Sequence, residues 1–152
     1  MRIPRSPSGW TMAVFGLLAA VLGAVGLLSP TAQLSLLGLT VPGERGSGDH
    51  TTAFVTASSM AALNMGAYYV LAALADWRAF FLWTVPFRLL TCVVFTTAVM
   101  GGRAPQAFLG VALWEGLGAL ATGAALLYER RTDRHVPGRA PTTAVTPGQE
   151  TR

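Results

Sequence analysis

The chain has 152 residues, enough for one ordinary domain; 52% of them are hydrophobic and only 12% are charged. That charged share is about half of what a soluble domain carries, so the composition excludes an ordinary soluble protein. The formal net charge is +4 and comes from eleven arginines and no lysine. Because the arginines cluster beside apolar segments, they favour anionic lipid headgroups over nucleic acid as the partner.

The first predicted element is a membrane span over residues 10–28, preceded by a short arm over residues 1–9. Its 19 residues carry no charge, and a helix needs about 20 such residues to cross a bilayer. A secretory signal peptide is the alternative, since Arg2 and Arg5 precede the apolar run. The run is longer than the core of a signal peptide and no clean cleavage pattern follows, which favours a retained span.

A longer connection follows over residues 29–51 and contains an apolar patch from Leu34 to Leu39. The patch has two interpretations: a segment that lies on the lipid or caps the bundle, or an ordinary loop with a few buried leucines. The sequence favours the loop. The second span is predicted over residues 52–75 and is the most polar of the four, with side chains of Thr56, Ser58, Ser59 and Asn64.

Two further spans are predicted over residues 80–100 and 107–128. The connections at 76–78 and 101–106 are short, which favours antiparallel packing of spans two, three and four as neighbours. The final segment is rich in Arg, Thr, Pro and Gly with little to bury, which predicts a disordered basic tail over residues 130–152. The predicted fold class is therefore all-α, a four-transmembrane-helix bundle with short connections.

The arginine distribution predicts the orientation of the bundle. Seven arginines lie in the N-terminal arm, the connection between spans two and three, and the part of the tail near the last span. Only Arg45 and Arg103 lie on the opposite side. Since positive charge is enriched on the cytoplasmic side, we expect a multi-pass protein of the bacterial plasma (inner) membrane with both termini in the cytoplasm.

Two opposite charges, Arg88 and Glu115, lie inside predicted spans, where an ionisable side chain is costly without a partner. Depth in the membrane can be estimated by counting residues from the predicted turns, at a helix rise of about 1.5 Å per residue. The count places Asn64, Arg88 and Glu115 in one layer near the middle of the membrane. A guanidinium can donate two parallel hydrogen bonds to a carboxylate. Tyr68 lies one turn from Asn64 on the same helical face. The candidate intramembrane polar site is therefore Arg88, Glu115, Asn64 and Tyr68.

Three interpretations of this layer stay open at the level of sequence. Arg88 lies in the predicted cytoplasmic half and could snorkel to the headgroups without Glu115. The pair could instead fix which helices pack together without binding anything. In the third interpretation the pair forms a ligand or ion site, or Glu115 carries a proton.

Small residues spaced four apart indicate packing faces, because they let helix backbones approach closely. The second member of such a pair is Gly116 or Gly123 in span four and Gly23 in span one. These three are the predicted helix-packing glycines. Packing within one chain is favoured over dimerisation.

The sequence carries no motif for catalysis, a metal or a cofactor. His50 and His135 fall outside the spans and on opposite faces of the predicted topology, so they cannot share a metal ion. No Cys, His or carboxylate cluster has ligand spacing, and there is no nucleophile elbow or phosphate-binding glycine loop. We expect no catalytic residue, no metal and no cofactor, and an enzyme is the least favoured class.

Four short segments, together with the four-span arrangement, carry a resemblance. They are Leu-Leu-Ser-Pro at 27–30, Leu-Gly-Leu at 37–39, Asn-Met-Gly-Ala-Tyr-Tyr at 64–69 and Phe-Arg at 87–88. Over about residues 10–128 the chain thereby resembles the small four-span bacterial membrane proteins of the DoxX-like kind. Some members of that broad group look like accessory subunits of membrane redox complexes, so the resemblance implies a protein partner, although this chain has no redox ligand of its own.

The expected function is that of a non-enzymatic accessory or scaffold component of the membrane. The expected partners are the lipid bilayer, a second membrane-protein subunit or another copy of the chain, and no nucleic acid. The alternative is a protein that handles a small molecule, a lipid or protons at the layer of Arg88 and Glu115. The first class predicts loss of assembly when Gly116 or Gly123 is enlarged. The second predicts that Glu115→Gln abolishes activity without unfolding the chain.

Overall fold

The computed structural model describes residues 3–41, 43 and 48–134. Across these residues the chain forms five α-helices and no strand, and four of the helices are long and apolar enough to cross a membrane. The predicted all-α bundle with four spans is therefore confirmed. Residues 130–134, predicted as the start of a disordered tail, instead continue the last helix. The rest of the predicted tail, and the arginines at 2, 45 and 139 used for the topology, lie outside the described residues. The helices are α1 (Pro7–Leu28), α2 (Pro30–Leu36), α3 (Thr51–Leu74), α4 (Arg78–Met100) and α5 (Phe108–Arg134).

Two Ser-Pro pairs determine where α1 and α2 begin. Ser6 caps α1, because its Oγ accepts a hydrogen bond from the Gly9 amide at 3.0 Å. Pro7 follows at the first helical position, where a missing N–H costs nothing. Ser29 and Pro30 repeat the arrangement at the start of α2. The first span consequently begins three residues before the predicted start at residue 10.

The segment after α1 caps one end of the bundle. Leu34 of α2 is buried, and the Ser59 hydroxyl of α3 donates to Gln33 Oε1 at 2.5 Å. The favoured interpretation of an ordinary loop is therefore wrong for residues 30–36, because the Ser-Pro pair starts a helix there and Leu34 and Gln33 anchor it. The alternative of a bundle-capping segment is the one that the structure adopts.

The spans pack as two pairs, α1 with α3 and α4 with α5, and α1 connects the pairs through contacts with both α4 and α5. Consecutive helices α3 and α4 do not pack closely through their backbones. They meet through large side chains, as where the rings of Tyr69 and Phe80 lie 5.8 Å apart. The prediction that spans two, three and four pack as neighbours is therefore confirmed for α4 with α5. For α3 with α4 it holds only through these long side chains, because a short connection limits distance but does not create a packing face.

Glycines create the packing face between α1 and α3. A Cβ on Gly66 would lie 2.5 Å from the Gly16 carbonyl oxygen, and a Cβ on Gly23 would lie 2.5 Å from the Leu63 amide nitrogen. Both contacts are with backbone atoms, so the two helices approach as closely as peptide groups allow. We call this contact the α1–α3 seam. Gly23 was expected from the sequence to be a packing residue, whereas Gly16 and Gly66 were not singled out.

The other two predicted packing glycines face α4 and are less crowded. A Cβ on Gly116 would lie 3.2 Å from the sulfur of Cys92, which ends a flexible side chain. A Cβ on Gly123 would lie 3.7 Å from Val85 Cγ1, an ordinary contact. Among the described glycines, the closest approaches of an added Cβ to the backbone of a neighbouring helix therefore lie between α1 and α3.

Candidate intramembrane polar site

Arg88 lies in the interior of the bundle, where its residue surface is only 3% exposed. The centre of its guanidinium is 4.5 Å from the ring centroid of Phe15 on α1 and 5.2 Å from that of Tyr69 on α3. Aromatic faces attract a cation, and more strongly where water is excluded. Two neighbouring helices thus enclose a charge that α4 supplies.

Glu115 on α5 provides the opposite charge. Its Oε2 lies 3.1 Å from Arg88 Nε, and its side chain is 22% exposed. The ring of the adjacent Trp114 meets Phe15 edge-on, with centroids 4.6 Å apart. All four spans therefore contribute side chains to one polar layer, and the ion pair anticipated between Arg88 and Glu115 is present.

The guanidinium of Arg88 is only partly satisfied. Neither Nε nor Nη1 has a hydrogen-bond partner, so the 3.1 Å approach to Glu115 is an ion pair without a well-directed hydrogen bond. The two parallel hydrogen bonds that a guanidinium can donate to a carboxylate are therefore not made. The guanidinium lies against α5 at Gly118, where an added Cβ would collide with Nη1. The missing side chain at Gly118 makes room for the cation.

The structure does not bring Asn64 and Tyr68 to this layer. Both lie on the outer face of α3, and Tyr68 is 57% exposed whereas its neighbour Tyr69 is 8% exposed. Five residues of an α-helix turn a side chain by about 140° from its starting direction. Because Gly66 and Tyr69 face α1 and α4, Asn64 points away from them. Counting residues from the turns predicts the depth of a side chain in the membrane, but it does not predict the direction in which that side chain points around the helix axis.

Snorkelling of Arg88 to the headgroups, the first open interpretation, does not occur. A snorkelling side chain keeps its charged end in water or at the headgroup level, whereas this guanidinium lies between two aromatic rings and a carboxylate. The choice that remains is between a structural pair and a ligand or proton site.

A second polar cluster, which we call the end cluster, lies at one end of the bundle and was missed from the sequence. The Glu129 carboxylate of α5, 7% exposed, accepts hydrogen bonds from the Ser8 amide at 2.7 Å, from the Ser8 hydroxyl at 3.1 Å and from Arg78 Nη2 at 2.6 Å. It thereby satisfies an amide in the first turn of α1, where a negative charge is stabilising. The Ser6 hydroxyl donates to Asp76 Oδ1 at 2.5 Å.

The end cluster shows which ends of the spans lie together. It joins the start of α1, the turn between α3 and α4, and the last turns of α5. Two signals in the sequence could have indicated it: the Ser-Pro cap at residues 6–7, and Glu129 directly after the last apolar residues on the side that carries Arg78. Neither signal identifies the partner, because the contacts span 51 to 121 residues of chain.

Buried and half-buried hydroxyls lie between the end cluster and the Arg88 layer. The Thr11 and Thr122 hydroxyl oxygens are 3.2 Å apart, and Thr122 and Thr84 both point at the sulfur of Met12, at 3.9 and 3.7 Å. Thr84 precedes Arg88 by one helical turn. The interior of the bundle is therefore polar at intervals along its axis.

The hollows described for residues 3–41, 43 and 48–134 do not include the charged pair in their linings. Five of them have volumes of about 20 to 360 Å³, and neither Arg88 nor Glu115 lines any of these five. Within residues 3–41, 43 and 48–134, no three His, Cys, Asp or Glu side chains converge as they would around a metal ion.

No similar protein guides the interpretation of this geometry. The chain matches no protein-family model, no curated protein and no solved structure.

Proposed function

We propose that this chain is a non-enzymatic accessory or scaffold component of the membrane, in which the Arg88–Glu115 pair fixes the arrangement of the four spans. One observation carries the proposal: Arg88 is almost fully buried and meets a side chain from each of the other three spans, Phe15, Tyr69 and Glu115. A residue in that position specifies which helices are neighbours.

The energetics of buried pairs support a role in specificity. Removing one partner of such a pair leaves an uncompensated charge and costs about 3–5 kcal/mol, whereas replacing both by apolar residues is often neutral. The partners Arg88 and Glu115 come from α4 and α5, and the rings that enclose the cation come from the other helix pair. The layer therefore links the helix pair α1–α3 to the helix pair α4–α5 in one fixed alignment.

The test compares single and double replacements in purified protein. We expect Arg88→Leu and Glu115→Leu each to lower the thermal midpoint in detergent, and the double Leu variant to recover most of the loss. Native mass spectrometry of protein taken gently from its own membrane should show a second polypeptide at fixed stoichiometry, retained by the double variant. Single variants as stable as the parent would contradict the structural role, and a parent with no partner polypeptide would contradict the accessory role.

We further propose that the end cluster faces the cytoplasm of a bacterial cell, with both chain termini on that side of the plasma membrane. The arginine asymmetry of the sequence supports this orientation. In a Cys92→Ser background, a cysteine at Thr132 should resist a membrane-impermeant maleimide in intact cells, whereas one at exposed Thr40 should react. The reverse pattern would contradict the proposed orientation.

Membership of the DoxX-like group is a proposal supported by the four-span bundle with short connections and by the segments that resemble it. Under this proposal the partner is a subunit of a membrane redox complex. Identification of the co-purified polypeptide as a flavin-, haem- or quinone-binding protein would support this; a partner without redox chemistry would contradict it.

A second candidate function is the handling of a small molecule, a lipid or protons at the same layer. The specific observations that favour it are the two guanidinium nitrogens of Arg88 without hydrogen bonds and the partial exposure of Glu115. The hydroxyls of Thr11, Thr122 and Thr84 add polar groups toward the end cluster. In proteoliposomes that enclose a pH-sensitive dye, proton flux abolished by Glu115→Gln at unchanged thermal stability would favour this candidate over the scaffold.

A further inference from the structure

A groove runs between α4 and α5 on the outer surface of the bundle, in the half that contains the end cluster. Its larger hollow has a volume of about 360 Å³ and is lined by apolar side chains, with Arg130 at one end. A second hollow of about 220 Å³ shares Leu82, Leu126 and Arg130 with the first and adds Arg78. The two hollows therefore form one continuous depression with cations at its mouth, which we call the α4–α5 groove.

Two residues, one from each helix, lie on the floor of the groove. Gly123 of α5 presents no side chain, and Pro86 of α4 lies on the same floor. Arg130 follows Gly123 by seven residues, and Arg78 precedes Pro86 by eight, so both arginines lie about 10–12 Å along the helices from this floor. The groove thus has an apolar bottom in the membrane interior and a cationic mouth toward the headgroup level.

The positive charge at the mouth comes mainly from Arg130. Arg130 is exposed, and the side chain of Arg78 is 47% exposed while it pairs with the buried Glu129. No carboxylate lines either hollow in the part of the chain that the structure describes. A surface of this kind is complementary to a ligand with an anionic head and an apolar chain.

We propose that the α4–α5 groove binds one anionic phospholipid from the surrounding leaflet. Its phosphate lies at the mouth against the exposed Arg130, since a guanidinium binds phosphate oxygens in a planar, two-pronged geometry. Arg78, which pairs with Glu129, lies beside it. One acyl chain lies over Gly123 and Pro86. A volume of about 360 Å³ is at the low end of the range for ligand pockets, and a helix with its side chains, about 10 Å across, does not fit. The inference does not rest on the scaffold function.

The experiment measures binding of phospholipid to the intact chain by native mass spectrometry. Delipidated protein in a mild detergent is titrated with phosphatidylglycerol and with phosphatidylcholine of the same acyl chains. We expect one molecule of phosphatidylglycerol to bind at least about fivefold more tightly than phosphatidylcholine, the preference that one arginine near an anionic headgroup supplies. Arg130→Gln should remove most of this preference.

Matched variants separate the headgroup from the acyl chain. Gly123→Leu fills the floor and should weaken both lipids, whereas Gly110→Leu should not, because a Cβ at this exposed position on the same helix meets nothing within 4 Å. Arg103→Gln at the opposite end should leave the preference unchanged.

Several results would overturn the proposal. These are equal affinity for the two lipids, a preference that survives Arg130→Gln, and a Gly110→Leu variant as impaired as Gly123→Leu. A doubled protein mass without lipid would identify a second copy as the occupant of the groove and would also overturn it. If Gly123→Leu fails to fold, the surface variant Arg130→Gln still decides whether the site selects an anionic headgroup.

Discussion

Replacing Gly66 with alanine should weaken the bundle, even though alanine is the better helix former. The added Cβ would lie 2.5 Å from the Gly16 carbonyl oxygen and from the Ala20 amide nitrogen, whereas an ordinary contact is 3.4–4 Å. Both neighbours are backbone atoms and cannot rotate away. The α1–α3 seam must therefore open by about 1 Å, and a gap of that size forfeits roughly a quarter to a half of the dispersion energy of the atoms along it.

The change in the free energy of unfolding follows from two opposing contributions. Overpacking of this kind costs about 1–3 kcal/mol, and the change from glycine to alanine within a helix returns at most about 1 kcal/mol. Gly110→Ala supplies a matched control, because the new methyl meets nothing within 4 Å and only the helix term applies. Gly66→Ala should therefore be about 1–3 kcal/mol less stable than Gly110→Ala.

The assay is reversible unfolding in mixed micelles, followed by the loss of helical circular dichroism as the fraction of denaturing detergent rises. Gly123→Ala belongs in the same series, since its Cβ would have an ordinary 3.7 Å contact with Val85, and it should behave like the Gly110→Ala control. Equal stability of Gly66→Ala and Gly110→Ala would refute the seam as the place where the bundle is most tightly packed. A Gly123→Ala variant as unstable as Gly66→Ala would refute the ranking of the glycines.

Two further predictions concern the polar clusters. Gly118→Ala should displace the Arg88 guanidinium and cost about 1–3 kcal/mol in the same unfolding assay; a stability equal to that of the control Gly110→Ala would show that the guanidinium has room to move. Glu129→Gln should weaken the acceptor for Arg78 and the Ser8 amide at a cost of about 1–3 kcal/mol, and amide hydrogen exchange in the first turn of α1 should accelerate while the rest of the helix is unchanged. Unchanged exchange there would mean that the cluster does not hold the start of α1.

The sequence was sufficient for the spans because hydrophobic length is a local property. A run of about 20 apolar residues has one low-energy conformation in a bilayer, since only a helix satisfies its own backbone there. The observed helix bounds extend the predicted ones at both chain ends, where Ser6 caps α1 and where α5 continues to Arg134. The Ser-Pro cap is itself a local signal, and reading it would have corrected the start of α1 and the connection that contains α2.

The polar site also has one part that the sequence predicts and another part that it does not. Burial of Arg88 and its partnership with Glu115 follow from the cost of an unpaired charge in lipid, which the sequence reveals directly. The other members depend on the rotation of α3 about its axis. Tyr69 rather than Asn64 or Tyr68 meets the cation because the seam at Gly66 turns that face inward.

Local chemistry therefore determined the helical class, the four spans and the charged pair. Tertiary packing alone decided that α1 pairs with α3, that Gly118 accommodates the guanidinium, and that Ser8, Arg78 and Glu129 meet at one end. The physical reason is that lipid solvates every apolar helix face almost equally well, so hydrophobicity does not choose neighbours within the bundle. The choice is made by close backbone contact at glycines and by hydrogen bonds between residues far apart in the chain. The spacing of small residues indicated Gly23 but not Gly16 or Gly66, and the hydrogen bonds leave no periodic pattern in the sequence.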